Sequence, residues 1–152
     1  MREQVLNWVE SLEATGNRLR TGLLLIAPAH CSRVEEIASH LLATPEDIVQ
    51  MALEQLPPGA CYAGLTATGI KGWLDEISNK QTGQRRALVV NLDLLLAGIS
   101  QEERRQVWTF VKDSMPYRWR VMIIAMPEGA TLLLPQVDDW EAAGRCTRWS
   151  DR

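Results

Sequence analysis

The sequence predicts an α/β domain of three layers, a mainly parallel sheet flanked by helices on both faces. Three observations carry that reading. Residues 23–27, 87–92 and 121–126 are nearly unbroken apolar runs of strand length (LLLIA, ALVVNL and VMIIAM), as expected of strands buried on both faces. The segments between them repeat apolar residues at helical spacing. Strand-like and helix-like segments therefore alternate along the chain, the order that builds a parallel sheet from crossover units.

Taken in order, Val5, Trp8, Val9 and Leu12 fall at i, i+3, i+4 and i+7, with Glu3, Gln4, Asn7, Glu10 and Glu13 between them. This predicts an amphipathic helix over about residues 3–15, stopped near Gly16-Asn17. The first apolar run ends at Pro28, a polar loop follows, and Val34, Ile37, Ala38, Leu41 and Leu42 mark a second helix packed back onto the sheet. Thr44-Pro45-Glu46-Asp47 has two readings. Threonine at the N-cap, proline at N1 and acids in the first turn suit a helix running to Leu56. A short strand at 48–51 followed by one helical turn suits the sheet. Pro57-Pro58-Gly59 closes the region.

Ile70, Trp73, Leu74 and Ile77 mark the next helical face, and the polar segment SNKQTGQRR leads to the second apolar run. Ser100 and Glu103 stand at capping-box spacing and open a helix that buries Val107, Phe110 and Val111 and ends before Pro116. Pro127-Glu128-Gly129 closes the third run. Residues 132–134 read as a last short strand, and beyond Pro135 the tail is polar, with Trp140 and Trp149 as isolated anchors. No repeat or linker divides the chain, so residues 1–152 read as one domain.

Composition bounds the function classes. The chain is 46% apolar and 23% charged with a net charge of −3, which excludes a simple polycation. Cys31, Cys61 and Cys146 are odd in number and show no CxxC spacing, which argues for reduced thiols and against a disulfide framework or a zinc site. MREQVLNWVESLEA carries no apolar run like that of a signal peptide. No stretch approaches the ~18 apolar residues of a membrane span. A cytoplasmic location without membrane contact is expected.

The loop after the first strand is the place to look for function, because ligands of open α/β sheets sit beyond the carboxyl ends of the strands. A phosphate-binding loop there needs glycines so that backbone N–H groups can wrap phosphate oxygens, a lysine for the β/γ-phosphates and a Ser/Thr hydroxyl for Mg²⁺. Here Pro28, Ala29, His30, Cys31, Ser32 and Arg33 contain no glycine, Arg33 stands in place of lysine, and Val34 has no hydroxyl. Pro28, His30, Cys31, Ser32 and Arg33 thus form a degenerate phosphate-loop position. A cysteine-phosphatase loop would need arginine six residues after Cys31, where Ile37 stands. Cys31 reads as a small residue near a helix N-terminus with a mildly lowered pKa, His30 as a loop polar group, and Arg33 as a first-turn charge or an anion contact. In the second run, Asn91 and Asp93 share a face by the period of two and occupy a degenerate Walker B position, where an aspartate would hold the metal.

This order of parts resembles the small P-loop-containing proteins of type 3 BREX phage-defence systems (BrxF-like proteins). The stretches that carry it are LLLIAPAHCSR, EQLPPG, ALVVNLDLLLAG and VMIIAMPEG, which together span nearly the whole chain. The resemblance implies a P-loop-NTPase-like fold. It lays Arg33 on the family's lysine, Val34 on its Ser/Thr and Val90 on its Walker B aspartate, with Asp93 on a nearby acid. Losing the glycines, the metal hydroxyl and the metal acid together is coherent for a domain that no longer uses nucleotide, so no cofactor and no metal are expected.

Six tryptophans accompany one phenylalanine. Trp8 and Trp73 fit core faces, and Trp108 lies beside the Val107/Phe110/Val111 stripe. Arg85, Arg86, Arg118, Trp119, Arg120, Trp140 and Trp149 form a candidate interaction surface, since arginine and aromatic residues are enriched at interfaces and also suit nucleic acid; the bland alternative is tryptophan packed over arginine stems. The expectation is a non-catalytic P-loop-like accessory or assembly subunit of a bacterial anti-phage defence complex, with other subunits or further copies of itself as partners. The alternatives are an ATPase with an atypical loop, using ATP and Mg²⁺ through Arg33 and Asp93, and a DNA-contacting accessory factor.

Overall fold

The computed structural model describes residues 2–14, 20–55, 65–81, 84–115 and 119–149. The elements in chain order are α1 (Arg2–Glu13), β1 (Thr21–Ile26), a 3-10 turn (Pro28–His30), α2 (Val34–His40), β2 (Thr44–Asp47), α3 (Ile48–Gln55), α4 (Ala67–Asn79), β3 (Arg86–Val90), α5 (Leu92–Leu96), α6 (Gln101–Asp113), β4 (Val121–Pro127), α7 (Val137–Ala142) and β5 (Cys146–Trp149). The five strands form one all-parallel sheet in the order β2-β3-β4-β1-β5.

The apolar runs are the three central strands, and alternate residues of each supply two separate cores. Leu24, Ile26, Leu88, Val90, Ile123 and Ala125 pack under α1 and α2. Leu23, Leu25, Val89, Met122 and Ile124 pack under α3 to α7. A strand covered on both faces cannot alternate polar and apolar residues, which is why the runs are continuous. Gly22 lets α1 come close to the sheet: a Cβ there would meet the Trp8 ring at 2.5 Å and Leu12 at 2.6 Å. The Trp8 indole is fixed over it by donating to the Gly144 carbonyl at 3.0 Å.

Both edge strands depart from the sequence reading. β2 is Thr44–Asp47 itself, four residues ahead of the strand that one reading places at 48–51, and the helix of the other reading starts not at Thr44 and Pro45 but at residue 48, as α3 over 48–55. Pro45 is tolerated because β2 is an edge strand, bonded on one side only. The Asp47 carboxylate accepts from the Val49 and Gln50 amides at 3.0 and 3.2 Å and so starts the helix. The last strand is not residues 132–134, which lie in and just after a turn with Leu132 85% exposed; it is β5, inside the tail read as polar.

Smaller corrections follow from the same geometry. Leu42 does not continue the apolar face of α2. It leaves the helix at φ 53° and is exposed, with the Leu42 amide donating to Ser39 and the Ala43 amide to Ala38. That is the Schellman arrangement, with leucine where glycine usually stands. Ser100 caps α6 as expected, its Oγ accepting from the Glu103 amide at 3.2 Å, but Glu103 does not fold back on it. Its carboxylate instead accepts from the Ala67 amide at 2.8 Å and caps α4. Trp108, read as lying beside the Val107/Phe110/Val111 stripe, is itself buried in the core, while Phe110 is only partly covered. The stops expected at Gly16-Asn17, at Pro57-Pro58-Gly59 and at Pro116 lie outside the described residues. No helix among the described residues is long and apolar enough to cross a membrane.

Candidate functional site

The chain path picks out one crevice. From β1 it travels over one face to the edge strand β2, returns across the other face through β3 to β4, and then passes β1 to reach β5. Crossovers of a single hand require the helices to change face where the direction of travel reverses. Accordingly α2, which follows β1, packs in one core, and α7, which follows β4, packs in the other. β1 and β4 are neighbours, with Ile26 level with Pro127. Their carboxyl ends therefore form the switch point at which open α/β sheets hold ligands.

The loop at this point is residues 27–33, and its own sequence closes it. Ala27 is extended (ψ 148°) and Pro28 opens a single 3-10 turn, with its ring holding φ in the turn range. The His30 amide donates to the Ala27 carbonyl at 2.9 Å, the Arg33 amide to His30 at 2.9 Å, and the Cys31 amide to Pro28 at 3.4 Å. No residue from 27 to 33 has positive φ. A phosphate nest needs successive amides turned inward by alternating right- and left-handed backbone; here three of them face the loop's own carbonyls. Glu35 and Glu36 occupy the first turn of α2, where they already answer the positive end of the helix dipole. Ser32 and Arg33 are exposed and His30 is half-buried.

Cys31 is half-buried, its thiol directed at the Ala27 and Ile26 carbonyls at 3.6 and 3.9 Å. Burial pushes its pKa up, and the charges of Asp93 and Glu128 push it further. This corrects the expectation of a mildly lowered value: the helix N-terminus is outweighed by desolvation and two nearby carboxylates, and the sulfur stays a protonated thiol rather than a nucleophile.

The acids arrive from two directions. β3 ends at Val90, and Asn91 takes a left-handed conformation (φ 66°) that turns the chain into α5, a conformation asparagine tolerates. Asp93 then lies in the first turn of that helix. Asn91 and Asp93 are therefore not alternate residues of one strand face. Glu128, which sequence reading treated only as part of a break, follows β4 directly. Its amide donates to the Ile26 carbonyl at 2.9 Å, and its carboxylate meets Arg148 at 3.5 Å. The charges of Asp93 and Glu128 thus both reach the Cys31 thiol at the mouth of the crevice. Among the described residues, no three His, Cys, Asp or Glu side chains converge as a metal site.

The candidate interaction surface does not assemble. Trp140 and Trp149 are 1% and 3% exposed and Arg120 is fully buried. Trp140 packs edge-on to Trp108 at 6.0 Å and lies under Arg145 at 4.7 Å; Trp149 packs against His40. The Arg120 guanidinium ties Glu46 (2.9 Å) to the Gln84 carbonyl (3.1 Å). Arg86 is half-buried, held by Glu13 and the Leu41 carbonyl. Only Arg85 and Trp119 stack near the surface, at 5.8 Å, and Arg118 lies outside the described residues. Tryptophan over arginine is therefore mainly a packing device here. Arg145, a buried arginine donating to carbonyls, carries no local sequence signal.

Compared with family models, with curated proteins and with solved structures, the chain matches none.

Proposed function

We propose that the chain is a non-catalytic P-loop-like domain, an accessory or assembly subunit of a bacterial defence complex of the type 3 BREX kind that its sequence resembles. One observation carries the non-catalytic part: the loop at the switch point bonds its amides to its own carbonyls. A polyphosphate arriving there would meet Asp93 and Glu128 before any inward-facing N–H group. What remains is a rigid α/β scaffold whose role is to hold other proteins.

Direct titration of the purified chain with ATPγS and Mg²⁺, up to millimolar nucleotide, tests this. The expected result is no saturable binding. Saturable binding that is lost in Arg33→Ala overturns the reading and favours an ATPase with an atypical loop, for which the nearness of Asp93 and Glu128 offers carboxylates to a metal-bound nucleotide. The defence assignment is tested separately by the neighbouring genes, which should include a methyltransferase and an alkaline-phosphatase-like protein.

A further inference from the structure

A second feature lies away from the crevice, along the outer side of α6. Between this helix and residues 131–136 runs an open cleft of about 500 Å³, walled mainly by polar and charged side chains, Arg104, Arg105, Lys112 and Asp139 among them, with the nearly buried Trp108 and Trp140 adding little of its surface. Leu132 borders it and is 85% exposed. That exposure is built in. The Trp108 indole donates to the Leu133 carbonyl at 2.9 Å, and the Leu133 amide closes a turn on Ala130 at 2.9 Å. Leu133 and Leu134 pack on the core, which leaves Leu132 as a knob fixed beside a hole.

We propose that this cleft is a contact between two copies of the chain related by a twofold axis, with Leu132 of each protomer seated in the cleft of the other. A twofold interface uses one patch on both subunits, so the patch must carry both knob and hole, as this one does. The charges fit the same symmetry: Arg104, Arg105 and Lys112, with Asp113, stand on the α6 wall and Asp139 on the opposite wall, so a twofold arrangement can set the basic wall of one copy, Lys112 included, against the aspartate of the other. A knob already held in place loses little freedom on docking. The proposal does not depend on whether the loop at 27–33 binds nucleotide.

Sedimentation of the full chain from low to high micromolar concentration tests it. The unmodified chain and Leu132→Met should sediment as dimers. Leu132→Asp, at a position exposed in the monomer, should keep its far-UV circular dichroism and weaken association by at least about tenfold. Lys112→Asp and Asp139→Lys should each weaken the dimer and together restore it. A chain that stays monomeric throughout, or a Leu132→Asp variant that dimerises like the original, overturns the proposal.

Discussion

Arg145 locks the start of the first strand beneath the entry to the last: its Nε donates to the Thr21 carbonyl at 2.9 Å and its Nη2 to the Thr21 hydroxyl at 2.6 Å. Its Nη1 donates to the Lys112 carbonyl at 2.8 Å, at the C-terminal end of α6, where a cation answers the helix dipole. Burial draws the pKa of this guanidinium down while Asp113 works against that shift. One side chain thus joins β1, α6 and the approach to β5. Arg145→Ala should cost about 3 kcal/mol, because buried carbonyls lose charge-assisted donors. Arg145→Lys keeps the charge without the planar fork and should recover no more than about half of the loss. Urea unfolding monitored by circular dichroism measures both.

Gly22→Ala should destabilise the chain by about 2 kcal/mol, the scale of overpacking a core. The added methyl has to displace the Trp8 ring, which a Cβ would meet at 2.5 Å. Tryptophan emission should shift to the red as Trp8 moves toward water. A double variant that also carries Trp8→Leu should be less unstable than the sum of the two single changes, since the two residues share one space.

Leu42→Gly should stabilise the chain by about 0.5–1 kcal/mol, since a left-handed residue at C′ strains any Cβ. Leucine at this position is 62% exposed, so its removal sacrifices little packing. Leu42→Ala retains the strain and should leave the thermal midpoint nearly unchanged. Differential scanning calorimetry separates the three proteins.

Cys146 gives the fold a pH dependence at the alkaline end. Burial, followed by the charge of Glu141, raises its pKa to about 11 against the opposing pull of Arg148. The folded chain then holds this proton more tightly than the unfolded chain does. Its contribution is fully present below the ordinary thiol pKa of about 8.5 and is lost as pH rises through the folded value. Stability should fall between those limits more steeply in the unmodified chain than in Cys146→Ala, as denaturation midpoints across that range will show.

What could be read in advance tracks how each segment is buried. β1, β3 and β4 are covered on both faces, so their composition alone marks them. β2 and β5 are edge strands, Thr-Pro-Glu-Asp and Cys-Thr-Arg-Trp; the first is dominated by residues depleted in strands, and the second has two strand formers in a run too short to stand out. They become strands because a neighbour supplies half a ladder. Asp93 is legible from its place after an apolar run, but its position on a helix and not a strand is not, because Asn91 breaks the strand first. Glu128 carries no distinguishing local signal, since one acid after a proline is a common turn.

The sequence by itself determined the α/β class, the three central strands, the capped helix α6 and a loop after β1 without a glycine, because burial and backbone freedom are local properties of residue type. Tertiary structure alone decided the strand order, the two edge strands, the exposure of Cys31 to the charges of Asp93 and Glu128, and the burial of Arg120, Arg145, Trp140 and Trp149. Each of these rests on contacts between residues far apart in the chain, and a buried arginine becomes favourable only once distant carbonyls have been brought around it.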